Sequence, residues 1–202
     1  MGEVVDLHAG YASTVVAADF ARLVSLACHD LRTPLATVSG FAKTLLRIDQ
    51  LDEEKTARYL HLIDVGSTEL AELLELLSLA ARIESGRYDP VTREIDSLEL
   101  ARAGVPDAMG EGAAVQVDVD AVRRALASLA LAARRHGGVE IGVRVAGSTI
   151  ELEPVVRSAG PIVLSEELKD LGAAVAVMTI RAGGGEVELD NERLLVTLPT
   201  SS

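Results

Sequence analysis

The chain has very few aromatic residues and no tryptophan. Aromatic side chains make up 2% of its 202 residues. Domains that bind single-stranded nucleic acids commonly stack bases on exposed aromatic rings, so this composition argues against such a platform. Hydrophobic residues nevertheless make up 49% of the chain. The core must therefore be built mainly from aliphatic side chains, which suits packed helices.

Cysteine, long apolar runs and basic patches are scarce as well. Cys28 is the only cysteine, so no disulfide can form within the chain. No apolar run approaches the ~20 residues needed to cross a bilayer, and the mixed, acidic N-terminus is unlike a signal peptide. The formal net charge is −12, with no basic face or tail. We therefore expect a cytoplasmic protein with neither nucleic acid nor membrane as a partner.

Two long stretches in the first half show the apolar spacing of helices. Residues 13–48 predict one long helix, in which Pro34 removes a backbone donor and should cause a local kink. Residues 53–85 predict a second helix, which Gly86 ends, and a polar loop at residues 49–54 joins the two. A lone hairpin cannot bury both apolar stripes, whereas two copies can. The pattern therefore predicts a homodimer with a four-helix bundle.

From about residue 88 glycine becomes frequent and the segments become shorter. Four segments alternate apolar and polar residues as strands do, and they pair as two hairpins: residues 139–145 with 149–156, and residues 186–189 with 194–198. Two further segments show helical spacing: residues 120–135 and 166–181. Strands with helices on one side predict a small α+β layer domain.

The chain is thus predicted to have more than one domain. A short N-terminal segment covers residues 1–12. An all-α antiparallel helical hairpin follows at residues 13–89, and a small α+β sandwich occupies residues 90–202.

One string in the first predicted helix combines residues that can carry a phosphoryl group: His29, Asp30, Leu31, Arg32, Thr33, Pro34 and Leu35. A neutral imidazole with a free ring nitrogen can attack phosphorus. Asp30 is placed to accept a hydrogen bond from the other ring nitrogen and to stabilise the cation that forms. Thr33 lies one turn from His29 and shares its face. Arg32 can pair with a phosphate oxygen, and Pro34 frees a backbone carbonyl nearby.

This string resembles the phosphoacceptor box of sensor histidine kinases, and the resemblance covers about residues 12–89. The sequences Val-Ser-Gly-Phe at 38–41 and Ala-Arg-Ile-Glu-Ser-Gly at 81–86 are typical of the same family. The resemblance implies a dimerisation and phosphotransfer domain in which His29, Asp30 and Thr33 are catalytic, supported by Arg32 and Pro34. In that family an acid and a threonine at this spacing can also position water to dephosphorylate a partner's aspartate.

After residue 89 the order of elements resembles the family's ATP-binding domain, but its key residues are replaced. Ala132 stands where the family has the asparagine that ligates Mg²⁺, and Ser158 stands where an aspartate reads the adenine. The single asparagine of the chain, Asn191, falls in a predicted hairpin turn. Residues 163–169 are too few for the usual flexible lid. We therefore expect a degenerate ATP-binding domain, with no cofactor-binding or metal-binding residues of its own.

The leading interpretation is a histidine phosphotransferase of a phosphorelay. His29 is expected to take a phosphoryl group from the aspartate of one receiver domain and pass it to another, with Mg²⁺ supplied by the receiver. The expected partners are a second copy of the chain, a response-regulator receiver domain docking near Lys43 and Arg47, and an upstream histidine kinase. Two alternatives stay open. One is a minimal cytosolic autokinase that uses ATP, and the other is a pseudokinase scaffold or a receiver phosphatase.

Overall fold

The structure is a computed structural model that describes residues 7–47 and 52–200, with side chains from residue 20 onward. The chain divides into two compact units, residues 1–77 and residues 78–202. The division falls within the second long helix. Within the described parts of the chain, no helix is long and apolar enough to span a membrane.

Both long helices are confirmed. Helix α1 spans Leu7–Arg47 and helix α2 spans Glu53–Glu84. Since α1 is already helical at Leu7, the predicted start at residue 13 was wrong, while its predicted end at Ile48 and the start of the joining loop lie outside the described residues. Helix α2 ends as expected, because Gly86 adopts a positive φ of 65° that glycine tolerates best.

Two contacts set the antiparallel register of α1 and α2. The ring of Phe41 stacks on that of Tyr59, with centroids 5.1 Å apart. Farther from the loop, Gly66 is buried against α1. A Cβ on Gly66 would lie 3.0 Å from Cγ2 of Val38 and 3.3 Å from the carbonyl oxygen of Pro34. A residue without a side chain is what allows the two helices to approach this closely.

Helix α1 continues through Pro34. A proline has no backbone N–H, so one helical hydrogen bond is missing at this point. The expected local kink stays a prediction. Pro34 is buried, which places it on the inner side of the hairpin.

The second unit contains the remaining elements in chain order: β1 (Arg93–Asp96), α3 (Ser97–Gly104), β2 (Met109–Gly112), β3 (Ala114–Val117), α4 (Val119–Gly137), β4 (Gly142–Gly147), β5 (Thr149–Glu153), α5 (Gly160–Val163), α6 (Leu171–Ala182), β6 (Glu186–Asp190) and β7 (Arg193–Thr197). Strands β1 and β3 pair as a separate antiparallel ribbon, and the other five form a mixed sheet of order β2-β4-β5-β7-β6. Both predicted hairpins, β4–β5 and β6–β7, are confirmed.

The sheet is covered by helices on one face only, as the alternation in the sequence predicts. Alternate strand residues are buried in one core with residues of α3, α4 and α6: Val143, Val145, Ile150, Leu152, Val187, Leu194 and Val196. Their neighbours along each strand, such as Arg144 and Glu151, are not buried. This is the expected small α+β layer domain.

Several predicted boundaries shift for local reasons. Strand β5 ends at Glu153 and not at residue 156, because Pro154 follows and cannot donate to a strand ladder. Helix α6 begins at Leu171 and not at residue 166, because Asp170 caps it through the Ala173 N–H. Three strands, β1 to β3, and two short helices, α3 and α5, were not predicted. Each of these strands is only four residues long, too short to show a period.

The close approach at Gly66 predicts a specific cost for a single methyl group. Gly66→Ala and Gly40→Ala both gain about 1 kcal/mol of helix propensity. A Cβ on Gly40 has nothing within 4 Å, whereas one on Gly66 meets Val38 and Pro34. Overpacking costs about 1–3 kcal/mol, so Gly66→Ala should be less stable than Gly40→Ala by that amount. Urea unfolding of the two variants measures the difference, and equal stabilities would contradict the close packing.

Candidate functional site

The residues of the His29 string differ in exposure, because successive residues lie on different sides of α1. His29, Arg32 and Thr33 are exposed, Asp30 is half-buried and Pro34 is buried. Because His29 and Thr33 are four residues apart in a helix, they lie on the same side of α1, one turn from each other. The structure thus presents the predicted catalytic histidine and threonine together on an outer face, with the proline on the inner side. The chemical roles of these residues stay predictions.

An exposed strip continues from His29 along α1 toward the hairpin loop. At helical intervals after Thr33 it is formed by Ala36, Gly40, Lys43 and Arg47, all of them exposed. A Cβ on Gly40 would meet nothing within 4 Å. The strip therefore has small residues in its middle and basic residues at its far end. We refer to Ala36, Gly40, Lys43 and Arg47 as the α1 strip.

The opposite side of α1 is buried within the chain, and Leu23 and Ala27 are 3% and 0% exposed. Other large apolar side chains of the hairpin remain open. Leu35, Leu60 and Leu74 are each more than half exposed, at 53%, 54% and 55%. Leu60 and Leu74 are about four turns apart on α2, so they share one side of that helix. A single hairpin leaves this apolar side without cover.

In the second unit, the start of α6 packs directly onto α4. A Cβ on Gly172 would lie 3.5 Å from both Cβ and Oγ of Ser128. Ala132, one turn further along α4, is 1% exposed. Small side chains on both helices thus fill the space between them with protein.

The buried carboxylate of Asp170 lies at the same end of α6. Its Oδ1 accepts a hydrogen bond from the Ala173 N–H at 3.0 Å. Its Oδ2 lies 3.3 Å from Nη1 of Arg135 and 3.1 Å from Nε2 of His136. His136 looked isolated in the sequence, and the structure brings it to a carboxylate 34 residues away.

The segment after β5 packs against the core of the second unit. Ser158 is exposed, and its Oγ donates to the carbonyl of His136 at 3.5 Å. The following residues form α5, in which Val163 is fully buried. Asn191 lies in the β6–β7 turn with a φ of 57°, as predicted, and it takes no part in this region.

Within the second unit, Tyr88 interacts with one residue at the end of α2 and one at the start of α4. Burial, followed by the negative charge of Asp118, raises the pKa of Tyr88. Asp118 is the N-cap of α4 and accepts from the Ala121 N–H. The guanidinium carbon of Arg82 lies 5.9 Å from the centre of the Tyr88 ring, so a cation from α2 and an anion from α4 both act on this ring.

Comparison with known proteins identifies the helical hairpin. Residues 21–86 match the family model of the His Kinase A (phospho-acceptor) domain. This segment resembles the phospho-acceptor domains of two-component sensor histidine kinases. The matched segment contains the whole His29 string, the α1 strip and all of α2.

Curated relatives support the same family over most of the chain. The methanogenesis regulatory histidine kinase FilI of Methanothrix harundinacea is 27% identical over 91% of this chain and 25% of its own length. The histidine protein kinase DivJ of Caulobacter vibrioides is 28% identical over 85% of this chain and 31% of its own length. The chain thus spans between a quarter and a third of these relatives.

A solved structure shows the same fold. The histidine kinase AdeS of Acinetobacter baumannii superposes with a TM-score of 0.61 at 18% identity, over 86% of this chain and 98% of that one. The helical hairpin followed by an α+β domain with a mixed sheet is therefore the histidine kinase fold.

The expected loss of Mg²⁺–ATP binding stays a prediction, and the chemistry of the second unit's residues is consistent with it. Mg²⁺ takes oxygen ligands, but the α4 position resembling the family's asparagine is the buried methyl group of Ala132. Among the described residues no group of three or more His, Cys, Asp or Glu side chains gathers for a metal. The carboxylate of Asp170 is already held by Arg135, His136 and the start of α6.

Restoring the family's asparagine should therefore destabilise this domain. Ala132→Asn places an amide in a fully buried position, where overpacking and desolvation together cost about 2–4 kcal/mol. Ala127→Asn, at a half-buried position of the same helix, should cost less than about 1 kcal/mol from helix propensity. Thermal or urea unfolding compares the two. An Ala132→Asn variant as stable as Ala127→Asn would show that the space beside Ala132 is open.

Proposed function

We propose that this chain is a homodimeric histidine phosphotransferase of a phosphorelay. In this role His29 takes a phosphoryl group from the aspartate of one receiver domain and passes it to the aspartate of another. The observation that supports it best is an exposed His29, with Asp30 and Thr33 around it, in a chain whose second unit has the buried Ala132 at the position that resembles the family's Mg²⁺-binding asparagine. A receiver brings its own metal and aspartate, so no nucleotide site is needed.

The transfer requires one bond to form and one to break. A ring nitrogen of neutral His29 attacks phosphorus, the N–P bond forms, and the bond from phosphorus to the receiver's carboxylate oxygen breaks. The ring becomes cationic, and the other ring nitrogen keeps its proton. Asp30, the next residue, is the group we assign to hold that N–H and stabilise the cation. The return step reverses this sequence, with the aspartate of the second receiver as the nucleophile.

The apolar side of the hairpin supports the proposed dimer. Leu35, Leu60 and Leu74 are more than half exposed in one chain. Burying a fully exposed leucine stabilises a protein by about 1.5–3 kcal/mol, so covering these half-exposed ones provides about half of that each. Pairing two hairpins in a four-helix bundle provides the cover. The outer face that carries His29 then stays open for a receiver.

The receiver is proposed to dock on the α1 strip. Ala36 and Gly40 leave room for another protein to approach α1 closely, because the added Cβ of Gly40 would have nothing within 4 Å. Lys43 and Arg47 lie at the far end of the strip and provide positive charge. Such charges mainly increase the rate of association with an acidic partner surface.

Phosphotransfer from a receiver tests the function directly. A ³²P-labelled receiver domain from a response regulator of the source organism is mixed with the full chain, and label on the chain is followed on gels. The wild type should become labelled with an acid-labile phosphate, and His29→Gln should not, because the attacking nitrogen is gone. His61→Gln, at another exposed histidine of the hairpin, is the matched control and should behave as the wild type.

Three outcomes count against this function. Label that persists in His29→Gln would move the acceptor elsewhere. Acid-labile label on His29 from γ-labelled ATP and Mg²⁺, without a receiver, would make the chain an autokinase. Loss of phosphate from the receiver that survives His29→Gln but needs Thr33 would favour a receiver phosphatase.

Charge reversal in the α1 strip tests the docking surface. Lys43→Glu should slow transfer from the receiver by about fivefold to tenfold at low salt and by less at high salt, because charges at an interface rim act on association rates and are screened. Arg157→Glu, at an exposed position of the second unit, carries the same change in net charge and should leave the rate within about twofold. Initial rates across a series of salt concentrations separate the two, and equal slowing would refute docking on the strip.

A further inference from the structure

Asp170 differs from every other carboxylate in the described part of the chain, because it is the only buried one. Its side chain is 8% exposed. Burying a carboxylate is costly unless hydrogen bonds and opposite charges compensate it. The structure provides three such groups, from two helices.

The three groups form a cradle of the kind that holds an oxyanion. The first turn of α6 offers the Ala173 N–H at 3.0 Å from Oδ1, and the start of a helix favours negative charge. Arg135 and His136, at the end of α4, reach Oδ2 at 3.3 Å and 3.1 Å. Because a carboxylate only accepts hydrogen bonds, Nε2 of His136 is a donor here.

Helix capping alone does not account for this arrangement. Asp96 caps α3 through the N–H groups of Leu98 and Glu99 and remains exposed. Asp118 caps α4 through Ala121 and is half-buried. Of these three capping carboxylates, Asp170 is the one on which a guanidinium and an imidazole converge from another helix. Arg135 and His136 add hydrogen-bond donors that a helix cap does not need. A phosphate group would use these donors.

We infer that the Asp170 carboxylate fills an oxyanion cradle in the place of a ligand phosphate. It thereby prevents phosphate compounds from binding to the second unit. The inference rests on the proposed function, since it explains how a histidine kinase fold holds its helices together without ATP. The internal carboxylate neutralises the cradle that a bound phosphate would otherwise neutralise.

The test removes the carboxylate from the cradle and keeps a capping oxygen at the start of α6. Asp170→Ser removes the charge and most of the side chain, yet its hydroxyl still accepts from the first turn of α6. Inorganic phosphate is the probe, with chloride at equal ionic strength as the reference, and both the Tm and calorimetric binding are measured on the full chain. Asp170→Ser should bind phosphate at least about tenfold more tightly than the wild type, since charge-assisted hydrogen bonds to phosphate are strong. Adding Arg135→Ala should remove most of that gain.

Asp96→Ser is the matched control, because it makes the same change at a cap without the two cations. It should show no gain in phosphate binding. Asp170→Asn keeps the side-chain volume and loses the charge, so its gain should be smaller than that of Asp170→Ser. If Asp170→Ser does not fold, Asp170→Asn decides, and its Tm must rise more with phosphate than the wild-type Tm does.

Two results would overturn the inference. One is a folded Asp170→Ser, or in its absence Asp170→Asn, that binds phosphate no better than the wild type. The other is a wild type that already binds phosphate as tightly as the variant. Neither result bears on transfer from a receiver to His29, which is measured on the wild type alone. Failure of the cradle and failure of the proposed phosphotransfer are therefore distinguishable.

Discussion

The separation of α1 and α2 at Gly66 is the constraint on which the hairpin depends. At this point α2 comes within van der Waals reach of Val38 and of the Pro34 backbone, and any side chain would push the helices apart. The close approach buries Pro34, which fixes the rotation of α1 about its own axis. Once Pro34 faces inward, helical geometry turns His29 and Thr33 outward. The accessibility of His29 is thus coupled to a glycine on the other helix.

Small side chains let the two long helices of the second unit pack closely. Alanine and serine on α4 let the start of α6 lie directly against it. Asp170, at the start of α6, is held by donors from both helices. Close packing and this buried ion pair therefore join α4 and α6 in one core.

The long helices and the two later hairpins could be predicted because each repeats its period several times. The 41 residues of α1 contain many turns, so a few misplaced residues do not hide the pattern. The short strands failed for the opposite reason: β2 is four residues long and half glycine, and it pairs with β4 through a long-range parallel contact. Likewise, His29 could be found from a contiguous string, whereas His136 and Asp170 lie 34 residues apart and only folding joins them.

The sequence by itself determined the helical hairpin, the α+β class of the second half and the match of the His29 string to a phospho-acceptor domain, because local periodicity and contiguous residues carry that information. Only the tertiary structure decided which side of α1 is exposed, how closely α2 approaches it, and which groups hold Asp170. These are contacts between residues distant in the chain. Their geometry depends on how whole helices pack, and no local pattern of the sequence encodes it.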